Sequence, residues 1–528
     1  MGNNSLISIQ VINDCSSQTI YCNPGDNLLK VLIENNVYMS AVCGGRGRCG
    51  KCKVRIIEGK FEITTLDQKL LSKNEINRGF RLACNAHAID HCRIEIPFIE
   101  AETSFDIIST GSNWRIGKNS SKEEKYFIIA IDIGTTTIAM KLVGVPSYRI
   151  VKTHTRINRQ RIYGADVISR INASNEGKGK LLKESIIKDL LEGILELMHK
   201  HSISKDRIKA LSIAANTTMI HLLMGYSCET LGTYPFTPVN INLIEKSFKE
   251  IFSSDYLDIP VTILPGISTY VGADITAGLL TCRFDKTEKT SMFIDIGTNG
   301  EMAIGNKDKI FVCSTAAGPA FEGGNISCGI GSVPGAISSI SINKDNSTTY
   351  KTINNRQPTG ICGTGVIEIT AELMKARLID ETGLLDERYS EQGFKIITDK
   401  EGKDILFTQK DIREVQLAKS AIRAGIEILK KRFGVDYNEI DKVYIAGGFG
   451  LKIDIQKSIY IGLLPKQFDE KIEAVGNSSL SGAIEYLLDP NAKDRTEKLI
   501  KISKEIQLSS DKDFNEYYID NMFFKKIY

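Results

Sequence analysis

Three cysteines and four glycines lie within the ten-residue stretch CGGRGRCGKC, which spans positions 43–52. Cys43, Cys49 and Cys52 are separated by five and then two residues, and Cys84 follows later in the chain. Four thiolates can hold two irons and two bridging sulfides, each iron taking two cysteines. Glycine suits such a loop because backbone N–H groups must turn toward the sulfurs at dihedral angles that other residues avoid. The stretch predicts a [2Fe–2S] cluster that carries one electron.

Two alternatives to this ligand set remain open. A zinc ion could use two to four of the same cysteines, although zinc knuckles prefer two separated CxxC pairs and this stretch has one. Cys92 could replace Cys84 as the fourth ligand. Four cations in and beside the loop would offset the negative charge of a cluster and offer a docking face. They are Arg46, Arg48, Lys51 and Lys53.

A second motif occurs twice, each time at the end of an apolar segment. FIIAIDIGTTT carries it after Asp132, and MFIDIGTNGE repeats it after Asp295. Glycine lets the chain double back, so that N–H groups and threonine hydroxyls face the same phosphate oxygens. The predicted phosphate contacts are Gly134, Thr135, Thr136, Thr137, Gly297, Thr298, Asn299 and Gly300. The repetition favours a nucleotide between two related halves over glycines that only form strand-end turns.

Four acidic residues near these turns are candidates for catalysis. Asp132 ends an apolar strand, where a carboxylate can bind a water molecule of hydrated Mg²⁺, and Asp295 occupies the same place in the repeat. Asp274, in YVGADITAG, could orient the attacking water, bind Mg²⁺ or cap the helix that follows. Glu301 closes the second motif, and the sequence gives it no specific role.

The hydrophobic pattern predicts the elements that position these residues. Alternating strands and a short helix, with Asp26 as its N-cap, make the first part of the chain a small α+β unit. From residue 126 onward, buried strands alternate with helices such as 181–199, which indicates α/β architecture. We expect a first domain at 1–97, a linker at 98–125, a middle domain with the first lobe at 126–285, and a C-terminal domain at 286–528.

The composition bears on partners and compartment. The 528 residues carry a net charge of only +3, which predicts neither nucleic-acid nor membrane binding. No basic-then-apolar leader and no uninterrupted run of 18 apolar residues is visible, so we expect a cytoplasmic protein. Its twelve cysteines then indicate metal or redox use rather than a disulfide framework.

Both parts of the chain resemble known families. The cysteine spacing and RLACNAHA around Cys84 resemble the adrenodoxin-like [2Fe–2S] ferredoxins, which implies a β-grasp first domain. The two DIGT turns, followed by IAGGFG at 445–450, resemble the ASKHA superfamily of actin-like, RNase H-like ATPases and sugar kinases. That resemblance implies ATP and Mg²⁺ between two lobes, with Gly447 and Gly448 against the adenosine.

Over nearly its whole length the chain resembles the reductive activators of corrinoid proteins, the RACo family, through YGADVISRI, AANTTMIHLLMG, DIGTNGE and IAGGFG. The family implies ATP-dependent transfer of one electron from the cluster to a Co(II) corrinoid protein, restoring Co(I) for methyl transfer. It also implies a low-potential electron donor, a homodimer and anaerobic one-carbon metabolism. A requirement for ATP has a physical reason here, because a cluster near −400 mV cannot spontaneously reduce an acceptor of much lower reduction potential.

Other readings of the combination remain open. A redox-regulated small-molecule kinase would need a carboxylate base, for which Asp274 is the candidate. An electron-carrier module could use its ASKHA half only to sense nucleotide. The activators of radical dehydratases share the logic but lack a ferredoxin domain. The last cysteine is Cys362, so the C-terminal [4Fe–4S] motifs of methylamine-pathway activators are absent from the sequence.

Overall fold

The structure is a computed structural model of the 528-residue chain. It describes residues 6–13, 16–35, 37, 39, 45, 47, 50–96, 124–199, 203–400, 402–450 and 452–524. Cys43 and Cys49 lie outside the described residues, as do all but two residues of the linker expected at 98–125. Within the described part of the chain, no helix combines the length and apolar character needed to cross a membrane.

The first domain is a mixed sheet with one main helix. Its elements are β1 Ile7–Asn13, β2 Ser16–Cys22, β3 Asp26–Asn27, α1 Leu28–Glu34, β4 Lys53–Glu58, α2 Thr65–Leu70, α3 Lys73–Asn77, β5 Phe80–Leu82, β6 His87–Ala88 and β7 Cys92–Glu95. The sheet order is β2-β1-β7-β4-β5, with β1 and β7 parallel and the other neighbours antiparallel. This order brings the start of β4, just after Cys52, beside β5, just before Cys84.

The helix α1 corrects one detail of the sequence prediction. Its N-cap is Asn27, whose side-chain oxygen accepts a hydrogen bond of 3.1 Å from the N–H of Lys30. The N-cap predicted at Asp26 is wrong, because Asn27 is the last residue with extended dihedral angles before the helix. The Asp26 carboxylate instead accepts the N–H of Asn23.

The middle domain is a six-stranded sheet covered by helices. Its elements are β8 Tyr126–Ile133, β9 Thr137–Val145, β10 Ile150–Ile157, α4 Val167–Ala173, α5 Gly179–His199, β11 Ile208–Ala215, α6 Thr217–Met224, β12 Ile244–Ser247, α7 Phe248–Phe252, β13 Pro260–Ile263 and α8 Ala273–Thr281. The sheet order is β10-β9-β8-β11-β13-β12, with parallel pairing of β8 to β11 and of β11 to β13. The buried face of α5 packs on this sheet through Leu182, Ile186, Leu190 and Ile194.

The C-terminal domain contains a second six-stranded sheet. The first group of its elements is β14 Ser291–Ile296, β15 Gly300–Gly305, β16 Ile310–Thr315, β17 Ala336–Ile342, β18 Thr348–Thr352, β19 Gly360–Ile361, α9 Gly363–Lys375, β20 Phe394–Thr398 and β21 Asp404–Phe407. The second group is α10 Gln409–Phe433, β22 Lys442–Ala446, α11 Gly447–Gly450, α12 Ile455–Tyr460, β23 Ile472–Gly476, α13 Ser478–Leu488, α14 Ala492–Ile502, β24 Ser503–Glu505 and α15 Phe514–Asp520. The large sheet has the order β23-β22-β14-β15-β16-β24, and smaller sheets join β18-β17-β19 and β20-β21.

The two large sheets share one topology. In each, three antiparallel strands form a meander, and two further strands pair parallel beyond the first strand of that meander. The predicted internal repeat is therefore a repeat of structure, with β8 equivalent to β14. Asp132 and Asp295 lie at matching positions, each one residue before the end of its strand.

The two lobes meet along α8, which follows β13, and α13, which follows β23. Glycine makes this contact close, since a Cβ on Gly482 would lie 2.1 Å from the carbonyl oxygen of Ala277. Gly278 is similarly enclosed by Phe293 and Ser478. The core of the middle domain continues into α13 through Leu480, Ala483 and Ile484.

Candidate functional site

The first phosphate turn connects β8 to β9 and is held from behind by the middle domain. The N–H of Gly134 donates to the carbonyl of Thr137 at 2.9 Å, which closes the turn. The amide of Asn158 donates to the Gly134 carbonyl at 2.9 Å, and the amide of Asn216 donates to the Thr135 hydroxyl at 3.0 Å. Side chains from two other segments therefore fix the turn.

A buried arginine completes this support. Arg170 of α4 has no exposed surface and donates to the carbonyl of Thr135 at 2.5 Å and to that of Gly164 at 2.9 Å. Arg170 belongs to the polar segment 158–171. Its polar residues Asn158, Gln160 and Arg170 are buried and serve the turn.

The second phosphate turn connects β14 to β15 and faces the first. The N–H of Gly297 donates to the carbonyl of Asn299 at 3.0 Å, so the turn repeats the first one. One side chain touches both turns. An oxygen of Glu322 accepts a hydrogen bond of 3.0 Å from the Thr298 hydroxyl and one of 3.4 Å from the Thr136 hydroxyl.

The sequence did not single out Glu322, which lies in the glycine-rich segment TAAGPAFEGG at 315–324. Burial raises the pKa of Glu322, while its hydrogen bonds and the positive charge of Arg161 act in the opposite direction. Glu322 is distant from Thr136 and Thr298 along the chain, so its contact with both could not be predicted from the sequence. The local signal is a single carboxylate among glycines.

Asp132 is held by the other lobe. The amide of Asn477 and the hydroxyl of Ser479 donate to its two carboxylate oxygens, each at 2.8 Å. Asn477 is also the N-cap of α13, since its side chain accepts the N–H of Leu480 at 2.7 Å. Asn477 and Ser479 were not predicted from the sequence. The signal available for them was a strand followed by Gly-Asn-Ser-Ser directly before a helix.

The remaining acidic candidates interact electrostatically with one another, and Asp274 and Asp295 also interact with Asp132. Burial raises the pKa of Asp274 to about 7, and the negative charge of Asp132 adds to the shift. Burial also raises the pKa of Asp295 to about 7, with contributions from the charges of Asp274, Asp132 and Glu322. For Glu301, burial and the charges of Asp274 and Asp295 raise the pKa well above its usual range. Such mutual repulsion marks a place that favours a cation.

Asp274 does not cap the helix α8. The N-cap is Gly272, and Asp274 is the second helical residue, with its carboxylate accepting the N–H of Ile275 at 2.9 Å. The capping alternative is therefore wrong, because the chain becomes helical one residue before Asp274. The carboxylate is left in the first turn of α8, among the other acidic groups.

The acidic residues fit Mg²⁺ bound through water rather than a direct metal cage. Within the described ranges, no three His, Cys, Asp or Glu side chains converge closely enough to enclose an ion. Mg²⁺ commonly keeps several waters and takes few protein ligands when it accompanies phosphates. Excess negative charge with pKa values near 7 at Asp274 and Asp295 suits that mode.

Gly447 lies against the same acidic group. It has φ +87°, and a Cβ there would lie 2.9 Å from a carboxylate oxygen of Asp295. Gly447 and Gly448 begin the short helix α11 directly after β22. The backbone at the start of α11 therefore lies against Asp295.

The iron–sulfur candidates are described in part. Cys52 is buried, and the N–H of Ala83 donates to its carbonyl at 2.8 Å, which holds Cys84 in the neighbouring turn. The loop residues Gly45, Gly47 and Gly50 have φ values of +81°, +66° and +62°, as a loop that turns its N–H groups inward requires. Cys43 and Cys49 lie outside the described residues.

Cys92 has different surroundings. It begins β7, pairs with Ile9 and lies buried near Cys22. Burial raises its pKa to about 11, and a Cβ on Gly59 would lie 2.6 Å from the Cβ of Cys92. A thiol packed in a sheet core is a poor metal ligand, so the geometry favours Cys84 as the partner of Cys52.

His221 serves the core. It is fully buried in α6, where its Nδ1 lies 2.8 Å from the carbonyl of Thr217 and its Nε2 accepts the N–H of Val239 at 2.9 Å. Both ring nitrogens are used, and burial lowers its pKa. His221 therefore holds a packed position in the helix.

Family models match three consecutive parts of the chain. The 2Fe-2S iron-sulfur cluster binding domain matches residues 11–88, and the RACo middle region matches residues 127–287. The C-terminal domain of RACo, the ASKHA domain, matches residues 289–527. The predicted fold class, a ferredoxin-type domain followed by actin-like lobes, is confirmed.

Characterised relatives carry matching descriptions. The corrinoid activation enzyme RamQ of Eubacterium limosum is 35% identical over 460 residues, which cover 81% of this chain and 76% of that protein. A [Co(II) methylated amine-specific corrinoid protein] reductase of Methanosarcina barkeri is 26% identical over 426 residues, which cover 74% of this chain and 76% of that protein. A solved reductive activator for corrinoid, iron–sulfur protein superposes with a TM-score of 0.69 at 29% identity over 98% of both chains. The chain therefore belongs to the RACo family.

Proposed function

We propose that this protein is an ATP-dependent reductive activator, which transfers one electron to the Co(II) form of a corrinoid protein and restores Co(I) for methyl transfer. The observation that carries the proposal is the pair of facing phosphate turns, joined by Glu322, in one chain with a ferredoxin-type domain. The printed names of RamQ, the Methanosarcina reductase and the solved activator support a corrinoid protein as substrate.

The electron site uses the first domain. We assign Cys43, Cys49, Cys52 and Cys84 as the thiolates that hold a [2Fe–2S] cluster, supported by the contact between Cys52 and the turn of Cys84. When bound, the cluster supplies one low-potential electron, replaced in each cycle by a low-potential donor. The sheet fixes two of the thiolates, because β4 and β5 are paired where Cys52 and Cys84 adjoin them.

The nucleotide site uses the two turns and the acidic group. Gly134 through Thr137 and Gly297 through Gly300 would hold the phosphates with backbone N–H groups and hydroxyls. Asp132 and Asp295 would bind waters of Mg²⁺, which neutralises phosphate charge when bound. The Gly447–Gly448 backbone would lie against the adenosine.

Hydrolysis requires a group that takes a proton from water. Asp274 suits this role, because its pKa of about 7 lets its carboxylate accept a proton near neutral pH. Glu301 lies beside it with a strongly raised pKa and would remain protonated, so that it donates a hydrogen bond rather than adding charge.

ATP supplies the free energy that the electron transfer needs. An acceptor 100 mV below the donor costs about 2.3 kcal/mol for one electron. Lobe movement about α8 and α13 would connect hydrolysis to transfer, because these helices form the contact between the lobes and Ser479 of α13 binds Asp132. We assign the domain boundaries given above, a homodimer and a cytoplasmic location, where thiols remain reduced.

The test uses anaerobically purified protein with a Co(II) corrinoid methyltransferase protein and a low-potential reductant. The absorption of Co(I) is followed with and without MgATP, for the native chain and for Cys52→Ala. Co(I) that forms only with MgATP and an intact cysteine set supports the proposal. ATP consumption without Co(I), accompanied by a phosphorylated metabolite, would indicate the kinase instead.

A further inference from the structure

The cluster loop contacts the C-terminal domain beside the nucleotide site. Lys51, the residue before Cys52, donates a hydrogen bond of 3.1 Å to the carbonyl of Gly329. The positive charge of Lys51 also reaches the neighbouring Cys328, whose thiol pKa is raised by burial. The first domain therefore rests on a loop of the second ATPase lobe through the residue next to a cluster ligand.

This loop, residues 322–329, is here called the coupling loop. Gly323 has φ +77°, and a Cβ on Gly329 would lie 2.0 Å from the carbonyl oxygen of Gly323, so the two ends of the loop touch. The N–H of Gly329 donates to the carbonyl of Ile326 at 3.0 Å, and Asp411 accepts the N–H of Ser327 at 2.7 Å. A loop closed in this way moves as one piece, so a shift at residue 322 is felt at Gly329.

The coupling loop begins at Glu322, the residue that touches both phosphate turns. Its carboxylate accepts hydrogen bonds from the hydroxyls of Thr136 and Thr298, which are also predicted to bind phosphate oxygens. A phosphate and a carboxylate compete for the same donors and repel each other. Phosphate at the turns would therefore displace Glu322.

The first domain also lies near the other lobe. Glu34, at the end of α1, adds to the raised pKa of Tyr163, after the larger effects of burial and Glu184. Tyr163 follows Arg161, whose charge acts on Glu322. The charge of Glu34 therefore acts on the middle lobe, while Lys51 contacts the C-terminal lobe.

We propose that the coupling loop carries the state of the phosphate turns to the first domain, so that phosphate bound at the turns displaces Glu322 and breaks the contact between Lys51 and Gly329. Glu322 is then a positioning residue, acting through the loop. The inference rests on the proposed function, where release would free the cluster domain to approach the corrinoid protein.

The test compares two lysines of the same segment by amine acetylation and mass spectrometry of the full-length protein. Lys53 is the internal control, because it pairs with Glu75 inside its own domain at 2.5 Å. We expect saturating Mg²⁺ with AMP-PNP to raise the acetylation of Lys51 relative to Lys53 more than threefold. Calorimetry on the same sample measures nucleotide binding separately.

The Glu322→Gln variant tests the route. A neutral amide competes less well with phosphate, so the Michaelis constant for ATP should fall roughly fivefold, equivalent to one neutral hydrogen bond. The ratio of Lys51 to Lys53 acetylation should start high and change little with nucleotide. An unchanged ratio in the native protein while calorimetry shows binding overturns the coupling but leaves the proposed function standing. If calorimetry shows no nucleotide binding, the coupling and the ATP dependence in the proposed function are both wrong.

Discussion

The hydroxyl of Ser479 in α13 donates a hydrogen bond of 2.8 Å to the carboxylate of Asp132, which lies at the end of β8 in the opposite lobe. Asn477 donates to the other oxygen of the same carboxylate at the same distance. Hydrogen bonds to a charged acceptor are stronger than neutral ones. These two bonds therefore hold the lobes together at the nucleotide site.

Loss of the Ser479 hydroxyl should weaken this connection. Ser479→Ala is expected to lower the free energy of unfolding by about 1.5 kcal/mol, the usual effect of removing one hydrogen bond to a charged group. Chemical denaturation measures it. The matched control is Ser478→Ala on the same helix, where the hydroxyl oxygen is buried without a hydrogen-bond partner among the described residues. Equal losses in the two variants would contradict the role given to the Ser479 bond.

The crossing of α8 and α13 should not tolerate a methyl group. In Gly482→Ala the Cβ would meet the Ala277 carbonyl at 2.1 Å, so the helices must separate. We expect a loss of about 1–3 kcal/mol in the free energy of unfolding, as for other overpacked sites, and a lower ATPase rate. Gly331→Ala is the control, since a Cβ there has open space around it. A Gly482→Ala protein as stable and active as this control would show that the lobes do not need the close crossing.

Much of the site could be predicted from local patterns in the sequence. Each phosphate turn is formed by residues adjacent in the chain, so glycine and threonine spacing indicated both turns and their repetition. Glu322 reaches the two turns, and Asn477 and Ser479 reach Asp132, only through folding. Long-range contacts of this kind leave no spacing rule for a sequence to show.

The alternatives that the sequence left open have the same cause. Asp274 precedes a helix and looks like a cap, but the chain turns helical at Ala273, and only the tertiary position of its carboxylate among other acids is informative. Arg170 is buried, although a charged side chain usually lies at the surface. Its burial depends on the carbonyls of Gly164 and Thr135, which a linear pattern does not reveal.

The acidic group should make stability depend on pH. The pKa of Asp295 is about 7 in the folded chain and near 3.8 when unfolded. The unfolded chain therefore ionises first as pH rises from about 4, and the free energy of unfolding falls until about pH 7. The fall is on the order of 4 kcal/mol for one such carboxyl. The Asp295→Asn variant has no carboxyl at this position, so it should not show this fall in the free energy of unfolding.

Urea unfolding at pH 5 and pH 8, without Mg²⁺ or nucleotide, measures this effect. Asp295→Asn should gain stability relative to the native protein at pH 8 and much less at pH 5, although it should lose ATPase activity. Asp308→Asn, at an exposed position between β15 and β16, is the control and should show no such pH dependence. A stability gain of Asp295→Asn that is the same at both pH values would refute the raised pKa of Asp295, which burial mainly causes.

The identity of the fourth cluster ligand can be decided by two cysteine variants. Cys84 lies in the turn beside Cys52, whereas Cys92 packs in the sheet near Cys22. We expect Cys84→Ser to lose the visible absorption and the electron paramagnetic resonance signal of a reduced [2Fe–2S] cluster, together with most of its iron. Cys92→Ser should keep both signals and iron content, and lose only stability, because a hydroxyl replaces a thiol in an apolar core. The reverse result would give the fourth position to Cys92, and zinc in place of iron in the native protein would exclude the cluster altogether.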